Sequence, residues 1–74
     1  MKIEQIAEYE IECAGVLLPD SGRWAAYLTI HGPSANPMHM TSVYPHQRVR
    51  GDTDFPTQAE AEEAARNVAM EMIG

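Results

Sequence analysis

The chain predicts an α+β fold: a three-stranded antiparallel sheet with one C-terminal helix packed on one face, in the order β-β-β-α. Three observations lead there. Tyr9-Glu10-Ile11-Glu12-Cys13 alternates apolar and acidic residues, the period of a half-buried strand. Pro19-Asp20-Ser21-Gly22 is a turn signal ahead of a second alternating run, Arg23 to Ile30. Phe55-Pro56-Thr57-Gln58-Ala59-Glu60-Ala61 opens a helix, because Thr57 and Glu60 have the spacing of a capping box.

The elements follow in order. Residues 1–8 leave two readings open: a helical turn through Ile3, Glu4, Ile6 and Glu8, or a frayed lead-in to the first strand. In the first strand Tyr9, Ile11 and Cys13 point inward. Beyond Ala14 the alternation blurs, and Gly15 is read as a bulge. The second strand sets Trp24, Ala26, Leu28 and Ile30 on one face and Ala25, Tyr27 and Thr29 on the other. His31 to Pro37 contains Gly32, Pro33 and Pro37 and reads as a loop. Met38 to Tyr44 is the third strand, ended or kinked by Pro45. Residues 45–54 read as a second loop, with Val49 as a candidate for a short extra strand. The helix runs from about Gln58 to about Ile73, with Ala61, Ala64, Ala65, Val68 and Met72 along one stripe.

The expected core packs Ile11, Cys13, Trp24, Ala26, Leu28, Ile30 and Val43 against Phe55, Ala61, Ala64, Ala65, Val68 and Met72. Glu62 and Arg66, at i and i+4, are expected to pair on the helix surface.

Composition narrows the function classes. Seventy-four residues make one domain with one small core, spanning 1–74, with a frayed start as one of the two readings of 1–8. At 45% apolar residues the chain is too hydrophobic to be disordered. A single cysteine, Cys13, excludes an intrachain disulfide and fits a reducing compartment. The first residues lack the apolar core of a signal peptide, and no apolar run reaches membrane-spanning length. The expectation is a soluble, cytoplasmic protein with no membrane partner. A net charge of −6 repels phosphate backbones and disfavours nucleic acid.

The clusters that could carry chemistry each have a plainer reading. His31, His39 and His46 do not have the spacing of a metal-ligand motif and read as loop and strand residues. Cys13 alternates onto the buried face, where a thiol is inert. Asp52-Thr53-Asp54 starts like a calcium loop, but Phe55-Pro56 breaks the ligand spacing. Acids near a helix start favour its dipole instead. We therefore expect no enzymatic activity, no cofactor and no metal.

Two surfaces remain. One helix covers one face of the sheet, so the other face would expose Tyr27, Met38, Met40 and Tyr44, with Met70 stray on the helix. Such leftover apolar surface points to a protein partner, or to a second copy forming a homodimer. The alternative is a nucleic-acid surface built from Arg23, Tyr44, His46, Arg48 and Arg50, where arginines meet phosphate and an aromatic stacks on a base.

With the β-β-β-α order and the Phe55-Pro56-Thr57…Glu60-Ala61 entry, the chain resembles small bacterial domains of unknown function. In topology it is also similar to the sheet-plus-helix modules of AP2 proteins and of the arm-binding domains of tyrosine recombinases. That second resemblance implies DNA reading through basic and polar residues on the exposed sheet face. Here that face offers Tyr27 and Thr29, and the basic residues lie mainly in a loop, so no functional residue is carried over.

Overall fold

The computed structural model describes the backbone of residues 1–33 and 40–73, and the side chains of 1–32 and 44–73. Four strands and one helix follow in order: β1 (Lys2–Ile6), β2 (Tyr9–Leu18), β3 (Arg23–Pro33), β4 (Met40–Val49) and α1 (Gln58–Ile73). All neighbours are antiparallel and the spatial order is β1-β2-β3-β4. The α+β class and the single C-terminal helix agree with the sequence. The strand count does not: the described residues form four strands, not three.

The extra strand is β1, where neither a helical turn nor a frayed lead-in forms. It pairs along its whole length with β2, from Lys2 opposite Cys13 to Ile6 opposite Tyr9. The intervening turn, Ala7-Glu8, lacks the Asn-Gly type of hairpin signal, and Ala7 takes a left-handed φ of 54°. The two isoleucines also mislead. Their i, i+3 spacing imitates a helix, but Ile6 packs on the core from the helix side while Ile3 is 55% exposed on the other side.

The second correction concerns β4, which runs through Pro45 to Val49 where a loop was expected. Leu28 pairs with Gln47 and Ile30 with Tyr44, so Pro45 and His46 together oppose Thr29. This is a β-bulge on an edge strand, one of the few places where a sheet accepts proline. A second register shift comes between Ile30 and His31. β3 likewise continues through His31 and Gly32 to Pro33, again where a loop was expected. Val49, opposite Ala26, joins the buried core. Of the expected third strand, Met38 lies outside the described residues, as do the side chains of Met40 and Val43.

β2 and β3 pair without interruption from Glu10 to Leu18, so Gly15 makes no bulge. It is small for another reason. A Cβ there would lie 2.8 Å from the Gln58 carbonyl oxygen and 3.1 Å from its Cα. The first residue of α1 rests on the backbone of β2 at this point. The turn at residues 19–22 forms as expected, with the Ser21 and Gly22 amides donating to the Leu18 carbonyl and Gly22 at φ 71°.

The core joins Ile11, Cys13, Ala26, Leu28, Ile30 and Val49 to Ala61, Ala65 and Ala69. Ala69 takes the place expected for Met72, which is 50% exposed. The helix lies over β2 and β3, and it reaches β1, the strand missing from the three-strand expectation, through side chains. Its edge carries Arg66 onto Glu4 of that strand, with Nε–Oε1 2.9 Å and Nη2–Oε2 3.1 Å. Glu62 meets the Met1 amino group at 3.2 Å, so the expected Glu62–Arg66 pair gives way to one tie to β1 and one to the residue that precedes it. Trp24 and Phe55 exchange backbone hydrogen bonds of 2.8 Å, which delivers the chain to the helix cap. There the Glu60 amide donates to Thr57 Oγ1 at 3.2 Å.

Candidate functional site

Strand parity divides the side chains between two faces. Ile11, Cys13, Gly15, Ala26, Leu28 and Ile30 lie beneath α1. The opposite face carries Ile3 from β1, then Glu10, Glu12, Ala14 and Val16 from β2. Next come Ala25, Tyr27, Thr29 and His31 from β3, with His46 and Arg48 from β4. Among the described residues no helix covers this second face.

The bulge gives the open face its shape. By placing two β4 residues opposite Thr29, it lays the His46 ring over β3. His46 stacks on Tyr27 with ring centroids 5.1 Å apart and planes 16° from parallel. Its Nδ1 lies 3.1 Å from Thr29 Oγ1. Thr29 is thereby buried, although it points away from the helix. Arg48 stands beside Tyr27 in register, and its Nη2 donates to the Thr53 carbonyl at 3.5 Å. On the same face His31 Nε2 lies 3.6 Å from Glu12 Oε2. Val16, 41% exposed, and Ile3 extend this surface on the β1–β2 side.

The two expected surfaces are thus redistributed. Tyr27 is on the open face, but Tyr44 is not. Tyr44 opposes Ile30 on the helix side and lines a cleft of about 230 Å³ with Tyr9, Ile30, Met72 and Ile73. Met70 is exposed on α1, far around the helix from its buried alanines. Of the basic set, only His46 and Arg48 share a face with Tyr27 and stay clear of acids. Arg23 is held by Asp54 through its side chain and by the Asp54 carbonyl at 3.2 Å. Arg50 lies 3.5 Å from Glu71. The arginines therefore do not converge on one basic patch.

Sequence reasoning passed over Ile3 and Val16 as surface residues. For Val16 the signal was available: stepping by two from Glu10 places it on the open face, once Gly15 is not read as a bulge. Among the described residues no group of three or more His, Cys, Asp or Glu side chains gathers to hold a metal ion. None of the described helices is long and apolar enough to cross a membrane. Burial pushes the Cys13 thiol above its ordinary pKa, with the Glu4 carboxylate adding to the effect. A buried protonated thiol is a poor nucleophile.

Comparison with protein families, curated proteins and solved structures finds no match for this chain.

Proposed function

We propose that the chain is a non-enzymatic protein-interaction module that works through the open face of its sheet. The observation that carries this reading is the apolar surface there. Val16 and Ile3 are exposed on a face where the Tyr27–His46 stack stands up from the sheet. An aromatic flanked by aliphatic side chains within a polar surround is the make-up of a protein-binding surface.

A photo-crosslinking residue at position 16, compared with one at Asn67 on the exposed side of α1, tests it in cells. Protein adducts formed from position 16 and lost with Tyr27→Glu support the reading. Equal adducts from both positions, or none from position 16, rule it out.

A second reading, weak nucleic-acid binding, draws on the stacked Tyr27–His46 pair beside Arg48. It has less support, because Arg23 and Arg50 are engaged by carboxylates. Amide shifts at His46 and Arg48 on adding short RNA or DNA, reversed by salt, would favour it over the first.

A further inference from the structure

Among the described residues, charge sets the helix side and the open sheet face apart as surfaces for meeting a second copy. Glu60, Glu62, Glu63 and Glu71 lie on α1, answered within the helix only by Arg66. Asp20 occupies the β2–β3 turn, and Asp52 and Asp54 come after β4. Two copies meeting helix to helix would bring like charges together. The open face is different. Its β2 half carries Glu10 and Glu12 and no base, while its β3–β4 half carries Arg48 beside the His46 ring and no acid among the described residues; Glu12 also faces His31 of its own chain.

We infer that this face binds a second copy of the chain, in a two-fold dimer with the axis parallel to the strands between β2 and β3. The inference rests on the interaction reading above and names its partner. Rotation about that axis lays β2 of one copy over β3 of the other. Every contact then occurs twice, as an isologous interface requires. The acidic half of each copy covers the basic half of its partner, bringing Glu12 within reach of the His46–Arg48 side.

Shape agrees with charge. Row by row, Ala14 of one copy falls on Tyr27 of the other, and Val16 falls on Ala25. At the first of these levels a small side chain meets a large one, and at the second the exposed Val16 covers a fully buried Ala25, so that the two faces have room to interdigitate there. Ile3 of β1 falls on His46 of β4, so the remaining exposed aliphatic side chain of the face is also covered. The face is small beside a standard interface, so a weak, concentration-dependent dimer is expected.

Sedimentation velocity over a concentration series tests the inference, with circular dichroism confirming that each variant folds. Wild type should shift from monomer toward dimer as concentration rises. Val16→Asp, at an exposed site, should lower the association constant roughly tenfold or more. Glu12→Arg and Arg48→Glu should each be monomeric alone, because each sets like charges together twice. Mixed in equal amounts, they should form a heterodimer, because both contacts are then restored.

Wild type remaining monomeric at every concentration overturns the inference. So does a dimer indifferent to Val16→Asp, or a mixture of the two charge variants that stays monomeric. The interaction reading is judged separately by the crosslinking above. Adducts to a different protein from position 16, with a monomer in the centrifuge, would keep that reading and discard self-association.

Discussion

Arg66 of α1 grips Glu4 of β1 with two parallel hydrogen bonds, 2.9 and 3.1 Å long, across 62 positions of sequence. The pair fastens the edge strand to the helix. It holds the Glu4 carboxyl below the usual carboxylate range, chiefly through the hydrogen bonds and then through the charges of Arg66 and Lys2. Partial burial opposes that shift. A depressed carboxyl stabilises the fold above its unfolded-state pKa and loses that contribution as pH falls through the folded-state value. Both side chains are one-third exposed, so the effect is modest. Thermal melts should show wild type above Glu4→Gln at neutral pH. The gap should close in the acid range, below the ordinary carboxylate pKa. A gap unchanged down to about pH 2, well below that range, would show that the pair contributes through packing alone.

At Gly15 the start of the helix rests directly on the sheet backbone. Gly15→Ala places a methyl group 2.8 Å from the Gln58 carbonyl oxygen, against backbone that cannot swing aside as a side chain would. The expected cost is about 1–3 kcal/mol, as for other overpacked sites. Urea denaturation measures it. An alanine variant as stable as wild type would mean that α1 lifts off β2 without penalty.

Cys13 is 2% exposed and its thiol is held protonated by burial. Its reaction with a disulfide reagent at neutral pH should be slower than that of unfolded chain by on the order of a thousandfold, the inverse of the unfolding equilibrium for a marginally stable domain. Absorbance of the released thiolate, with and without denaturant, gives the ratio. Equal rates would place Cys13 at an accessible site.

His46 owes its position to the stack with Tyr27 and the contact with Thr29. Its ring protons should resonate upfield in a proton spectrum, because they lie over an aromatic face. Tyr27→Leu should return them toward random-coil positions and cost roughly 0.5–1.5 kcal/mol. Unshifted His46 resonances in wild type would mean that the ring is not held there.

Most of the framework was legible before any coordinates. The Tyr9–Cys13 alternation, the turn at residues 19–22, the two faces of β3 and the Thr57–Glu60 cap are local patterns. Each is enforced by side-chain period or by hydrogen bonding between residues a few positions apart. The misreadings came where a local signal opposed a long-range one. Ile3 and Ile6 imitate a helix, but a strand edge on β2 was waiting to be paired. Pro45 reads as a strand end, but an edge bulge accepts it.

The candidate site was less legible than the fold. Tyr27 could be assigned to its face by counting, whereas His46, Arg48 and Tyr44 could not. The residue added by the Pro45–His46 bulge reverses the parity of its neighbours along the strand, so face assignment in β4 depends on pairing with β3. The partners of Arg23, Arg50 and Arg66 were equally hidden, because Asp54, Glu71 and Glu4 come near them only in three dimensions.

By itself, the sequence determined the class of fold, the inward faces of β2 and β3, and where the helix begins. Those are properties of short windows, set by periodicity and capping. The fourth strand, the side-chain ties from the helix to it and the make-up of the open face were decided only by tertiary structure. They depend on which strand edges and charges meet across long stretches of chain, and no local energy term specifies that.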